Sequence, residues 1–194
     1  MASTILVDKI DPQSGTALEI GTSGDTITIP SGVTLTNNGT ASGFGKIGQV
    51  LSTTKTDTFT VNSRSYSAIT GLSVSITPSS TSSKILVIVS LQAVASNNGD
   101  AVILRDSTQI GVGDTSGSRT SGSFGDFYNG GGSALTSNSA SVLDSPSTTS
   151  AITYSVSCLT ASSSVFYVNR TTTDTDNSGF SRGASTITVI EVLA

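Results

Sequence analysis

The sequence predicts an all-β protein: a short-stranded segment over residues 1–45, then a larger β domain over residues 46–194. Three observations predict it. Apolar residues alternate with Ser and Thr at a period of two, as in "GLSVSITP". Roughly a third of the residues are Ser or Thr, far above ordinary usage, and with 20 Gly they supply strand and turn positions rather than helix positions. No stretch between the strand candidates carries helical periodicity. The chain is 35% hydrophobic, and its apolar residues are grouped, which a disordered polar chain does not require.

The first segment opens with the strand candidate "STILVDKI". Three short apolar pairs follow: Leu18 with Ile20, Ile27 with Ile29, and Val33 with Leu35. The turn stretches "GTSG" and "PSG" separate them, and "NNG" closes the series. Each pair is too small to hold a sheet alone. Either several copies of the chain wind together, as in a trimeric stalk, so that the pairs face neighbouring chains, or the segment is an arm whose hairpins pack on the main domain. The linker "NNGTASGFGKIG" holds Gly43, Gly45 and Gly48 in GxGxxG spacing. No helix pattern follows, so the motif reads as a glycine-rich hinge rather than a nucleotide site.

In the second segment the strand candidates are "QVLST", "DTFTV", "SAITGLSVSITP", "SKILVIVSLQAVA", "DAVILRD", "STQIGVG", "AITYSVSCLTA", "SVFYVNR" and "STITVIEVLA". Many strands without helices imply a sandwich, jelly roll or barrel. Leu72, Val74 and Ile76 share one face. "KILVIVSLQAV" is apolar on both faces and reads as a central strand covered on both sides. In "TITVIEVLA", Ile187, Val189 and Leu193 face one way and Ile190 and Val192 the other. That pattern fits a strand with one face on the core and the other on a second subunit. The longest stretch without a strong strand signal is 114–150, which is either a functional loop or conceals strands near "SGSFGDFYNG" and "SASVLD".

Composition narrows the function. The net charge is −4 with no basic cluster, so nucleic acid is not an expected partner. No apolar run reaches membrane-spanning length, and membrane insertion is not expected. The start "MASTILVDKIDPQSG" is not the pattern of a secretory signal, which fits assembly in a cytoplasm and gives the acceptor-like "NGT" and "NRT" little meaning.

No catalytic set, metal site or cofactor is expected. The chain has no His, which removes the usual general base and the triad chemistry built on it. Cys158, with Tyr154 and Val156 on its face, reads as a small core residue. Carboxylate pairs for glycan cleavage would be Asp106 with Asp114 or Asp126, or Asp174 with Asp176. None is flanked by aromatic surface, and Trp is absent. "DTDNSG" (174–179) has Gly179 at position six of a calcium loop but Ser185 where the bidentate Glu belongs, so it reads as a turn with solvated carboxylates.

The opening "MASTILVDKIDPQSGTALEIGTSGDTITIPSGVTL", the phrase "GLSVSITPSSTSSKILVIVS" and the terminal "STITVIEVLA" resemble tail-fibre and other appendage proteins of marine and cyanobacterial phages. The resemblance implies a virion protein assembled as a homotrimer. It implies an N-terminal segment docking on tail, neck or capsid proteins and a C-terminal jelly-roll-like head similar to tumour-necrosis-factor-like trimers. Docking would fall to Ile5, Val7, Ile10, Leu18 and Ile20. The expected role is host attachment by a fibre or fibre tip, with a decoration or stabilising fibre as the alternative. For contact with a host glycan or protein, the candidates in the long loop are Arg119, Phe124, Asp126, Phe127, Tyr128 and Asn129. Phe124 and Phe127 carry a competing reading as buried residues under the loop.

Overall fold

The structure, a computed structural model, describes residues 18, 20–34, 36, 46–128, 134–160 and 164–193. The chain divides into two compact units, Met1–Phe44 and Gly45–Ala194. The described residues of the first unit form turns and no strands. Asp25 N–H donates to Thr22 O, with the Asp25 carboxylate accepting from Thr22 N–H and Oγ1; Val33 N–H donates to Pro30 O across the "PSG" break. Leu18, Ile20, Ile27, Ile29 and Val33 are exposed. The short strands expected there are therefore not formed within the described residues. Leu35 and the candidates Ile5, Val7 and Ile10 lie outside them, as does Asn129.

The second unit comprises β1 (Ile47–Lys55), β2 (Phe59–Val61), β3 (Ser67–Ile76), β4 (Lys84–Ala95), β5 (Gly99–Arg105), β6 (Thr108–Ile110), β7 (Thr136–Asp144), β8 (Ile152–Thr160), β9 (Phe166–Val168) and β10 (Ser185–Val192). All nine expected strands are present, and β7 is the one concealed in the long loop. The strand pairings are antiparallel. One sheet runs β1–β10–β4–β7, with β9 beside β4 beyond the end of β10 and β2 beside β9. The other runs β3–β8–β5–β6. Their apolar faces close on one core, the arrangement of a β-sandwich. Ile85, Val87, Val89, Leu91, Ile187 and Val189 line it from the first sheet. Leu72, Val74, Ile76, Ile103, Tyr154, Val156 and Cys158 line it from the second.

Alternation explains most of this. Leu72, Val74 and Ile76 are buried while Ser73 and Ser75 are exposed. β3 bulges between Ala68 and Ser73, where Gly71 takes a φ of 81° that a side chain would resist. β6 is followed by Gly111, where an added Cβ would lie 2.3 Å from Val142 of β7; glycine allows the two sheets to close at that edge. β4 is central, as expected, and its inner face is covered; on its outer face Val94 is buried while Ile88 is exposed.

Several inward positions are polar, and the largest of them, Asn169, Asp144 and Glu191, are hydrogen-bonded. Asn169 is fully buried with a φ of 59°. Its Nδ2 donates to Lys55 O (2.8 Å) and Asp57 O (2.9 Å), and its Oδ1 accepts from Ser185 Oγ (2.7 Å). Its backbone N–H donates to Gln92 O and its carbonyl accepts from Gly183 N–H. It thus fills the seam where β1 gives way to β2 and β10 to β9. Asp144 on β7 accepts from Arg105 Nη1 on β5 (2.8 and 2.9 Å) and from Tyr154 OH on β8 (2.7 Å), tying the two sheets together. Burial, and then that bond to a carboxylate, push the Tyr154 phenol well above its ordinary range.

Glu191 shares the core-facing side of β10 with Ile187 and Val189. Its Oε1 accepts from Ser79 N–H (2.7 Å) and Ser79 Oγ (2.6 Å), and its Oε2 from Gln49 Nε2 (2.8 Å). Burial alone would raise its pKa, but these donors outweigh it and hold the carboxyl at about 2.

Two predictions follow from these locks. Replacing Asn169 with Ala strands two backbone carbonyls and a hydroxyl and leaves an Ala at positive φ. Denaturant unfolding at fixed chain concentration should show a loss of about 3 kcal/mol, and a loss below about 1 kcal/mol would contradict the seam's importance. Because the folded-state pKa of Glu191 is depressed, its contribution is complete above pH 4.5 and drains away as pH falls to about 2. Integrated, that is about 3 kcal/mol at most. Unfolding measured across this window should fall steeply in the native chain and more shallowly in Glu191→Gln.

Candidate functional site

The connection between β6 and β7 is held along much of its length by backbone pairing rather than hanging free. Ser123 N–H donates to Ala101 O, Phe127 N–H to Gly99 O, and Ala95 N–H to Phe127 O. Ser123 Oγ donates to Ile110 O and accepts from Ile103 N–H, and Tyr66 OH reaches Ser121 O. Burial, and then the charge of Asp100, push the Tyr66 phenol up to about 12. Burial, and then Asp126, raise the pKa of Asp100.

This path decides the fate of the loop candidates. Phe124 and Phe127 belong to the core, 8% and 1% exposed. Their rings lie 6.1 Å apart, and Phe127 meets Phe166 edge-on at 4.9 Å. They seal one end of the sandwich and offer no face to a ligand, because the hydrophobic gain of filling that end outweighs exposure. Asp126 Oδ1 accepts from Gly99 N–H and Tyr128 N–H, so it braces backbone. Arg119 is exposed and, among the described residues, bonds only to Ser116 in its own turn. Tyr128 is 46% exposed. Of the five described candidates, Arg119, Tyr128 and the exposed Asp126, through its second carboxylate oxygen, thus keep accessible groups.

Two other surfaces stand out. The first is the outer face of the β1–β10–β4–β7 sheet. Pairing registers align Val50, Ile190, Leu86 and Leu143 into one cross-strand row. Residues directly opposite share a face, so these four side chains form a continuous apolar band. Val50 and Leu143 are 57% and 53% exposed, and Ile47 and Ile88 extend the band. The next row, Ser52, Thr188, Ile88 and Ser141, is mostly hydroxyl-bearing. Lys84, beside Val192, is the one charged residue that strand alternation places on this face among the described residues. The opposite sheet differs: its outer face carries Ser73 with Ser155 and Ser75 with Thr153, and the last two share a hydroxyl bond of 2.8 Å.

The second surface is a cleft of about 260 Å³ in the β9–β10 connection, lined by Asp174, Thr175, Asp176, Asn177, Phe180 and Arg182. Arg182 Nη2 sits 2.8 Å from both oxygens of Asp174, and Arg170 Nη1 approaches the same carboxylate at 3.4 Å. Sequence reading took this stretch for a plain turn, since nothing in "DTDNSG" signals that Phe180 and Arg182 fold back over it.

Among the described residues no group of three His, Cys, Asp or Glu is arranged to hold a metal ion. Cys158 is buried, and burial pushes its thiol up to about 12, well away from nucleophilic thiolate chemistry. Of the carboxylate pairs, Asp174 is committed to two arginines and Asp126 to backbone N–H groups. No helix among the described residues is long and apolar enough to cross a membrane. Comparison with protein-family models and with curated proteins finds no match.

The aromatic assignments have a direct test. Phe127→Ala should cost about 3–5 kcal/mol in chemical unfolding, as buried aromatic truncations do, while Tyr128→Ala should stay within about 0.5 kcal/mol of the native chain. Comparable losses for both would place Tyr128 in the core as well.

Proposed function

We propose that this chain is a structural protein of a phage virion: a trimeric tail fibre or fibre tip that attaches to the host cell surface and carries no catalytic activity. The observation that carries the reading is the apolar band of Val50, Ile190, Leu86 and Leu143 on an otherwise hydroxyl-rich molecule. Bands of this kind, bordered by polar residues, mark protein–protein contacts. Around a threefold axis, the band of each chain would meet those of its neighbours. The chain carries a net charge of −4, so copies repel in general, but this face brings little charge to a self-contact.

The strand order supports a jelly-roll head. Taking β1 with β2 as one strand and β9 with β10 as another, eight strands divide between the sheets as β1–β10–β4–β7 opposite β3–β8–β5–β6. Two nested Greek-key connections of that order make a jelly roll. The resemblance of the opening and closing stretches to phage appendage proteins supplies the virion setting. The exposed apolar residues Leu18, Ile20, Ile27, Ile29 and Val33 suit the expected docking on tail, neck or capsid proteins. A decoration or stabilising fibre is the second reading. It is favoured by the burial of Phe124 and Phe127, which leaves the long loop with less surface for a receptor.

Light scattering on a sizing column tests the assembly. The native chain should run at three times 19.5 kDa. Val50→Glu with Leu143→Glu should run as a monomer with an unchanged far-ultraviolet spectrum, because both side chains are already exposed in the single chain. A native monomer would remove the trimer. A trimer indifferent to both changes would move the contact elsewhere.

A further inference from the structure

We propose that the cleft in the β9–β10 connection is a binding site for a single neutral pyranose ring, the terminal sugar of a surface glycan. The inference rests on the host-attachment reading and gives it a location, one that sequence had placed instead in the β6–β7 loop.

Four features of the cleft point to this ligand. The first is its framework. Arg170 lies over the Tyr167 ring, 4.9 Å from its centroid, and donates from Nε to Thr171 O and from Nη2 to Thr172 O. From that fixed position it pairs with Asp174, which also binds Arg182. Arg170 and Arg182 are themselves bridged through their backbones. On the far side, Phe180 N–H donates to Asn177 O and Gly179 N–H to Asn177 Oδ1. The walls are therefore set before any ligand arrives, which lowers the ordering cost of binding.

The second is the set of groups left over. With its Oδ1 occupied, Asn177 presents Nδ2 as a donor. Arg182 is 59% exposed at the side chain and keeps guanidinium N–H groups beyond those on Asp174. Asp176 is exposed and has no hydrogen bond or ion pair among the described residues, so both carboxylate oxygens can accept from adjacent hydroxyls of one ring. Donors and acceptors thus converge, as vicinal hydroxyls require.

The third is Phe180. It is half-buried in the cleft wall and offers an apolar surface to the C–H face of a sugar. The fourth is charge. Arg170 and Arg182 balance Asp174 and Asp176, so the cleft carries no net positive charge to hold a sulfated or carboxylated sugar, and the neutral ring is the better fit. The volume agrees, since it lies just under the ~300 Å³ at which pockets for larger ligands begin. A single such site binds weakly, and three copies on one fibre would raise the avidity.

The test uses the full chain and a panel of methyl glycosides of glucose, galactose, mannose and fucose, read by saturation-transfer difference and by amide shifts in ¹⁵N-labelled protein. At least one glycoside should give saturation transfer and move the amides of Asp176, Asn177 and Gly179. Asp176→Ala and Phe180→Leu should each weaken it roughly tenfold or more, the loss of a charge-assisted bond or of a stacking face. Tyr128→Ala should leave it unchanged. The amide shifts locate the ligand in the native chain even if a variant misfolds. No signal from any glycoside overturns the proposal, as does binding whose shifts cluster elsewhere. Adsorption of labelled protein to marine bacterial and cyanobacterial strains separates the two levels. Adsorption that survives both cleft variants overturns the cleft and leaves attachment standing. A glycoside held in the cleft without adsorption to any strain does the reverse.

Discussion

The seam filled by Asn169 is the constraint on which the first sheet depends. β1 pairs with β10 as far as Lys55 opposite Ser185, and β2 resumes with β9 at Phe59 opposite Val168. Between those points the carbonyls of Lys55 and Asp57 need donors that a continuous strand would have supplied. Asn169 provides both from one amide and accepts from Ser185 with the other end. An aspartate there would have no donor, and a glycine would permit the positive φ without meeting the carbonyls. Asn is also the side chain that best tolerates that backbone region. The β9–β10 connection, with its arginine-braced cleft, leaves the sheet from this anchored point, so the rigidity of the surface site is inherited from a buried polar lock.

The other locks follow the same logic in a chain with few charges. Glu191 has no cationic partner among the described residues, and its charge is held by Ser79 and Gln49, joining β10 to the bulged start of β1 and to the connection after β3. Asp144 lies at the far edge and holds Arg105 and Tyr154 across the gap between sheets. The sandwich is therefore closed by apolar area in its middle and pinned by two hydrogen-bonded carboxylates that flank Ile85 in one row of the first sheet. Such groups contribute little net stability beyond what their burial costs, but they penalise any register that would leave them unpaired.

How much of this was legible follows from the side chains involved. β3, β4, β8 and β10 announce themselves because alternating Leu, Val and Ile leave no other economical arrangement. β7 does not: its inward residues are Thr136, Asn138, Ala140, Val142 and Asp144, too small or polar to raise a signal. Its strand state comes from the long β4 edge it pairs with. The two phenylalanines of the long loop read equally as ligand platform or core, and only the path of the backbone decides. Leu193 was placed on the core face with Ile187 and Val189, which is the parity of Glu191 too. Period alone cannot say that a carboxylate will be accepted there. The cleft was illegible for a different reason, since it is made by residues folding back across a turn and by no periodic pattern.

The contrast between the two outer sheet faces carries the deepest functional content. Ser and Thr are abundant enough to cover both, and at Ser73, Ser75, Thr153 and Ser155 of β3 and β8 they do. On β1, β10, β4 and β7 the same alternation instead delivers Val50, Ile190, Leu86 and Leu143 into register from four strands far apart in sequence. Exposing that row costs solubility in a chain with few charges to compensate, and an uncapped apolar band invites indiscriminate association unless a defined neighbour covers it. In the assembly we propose, a closed ring of identical chains would cover it in every copy and leave the opposite sheet to face water.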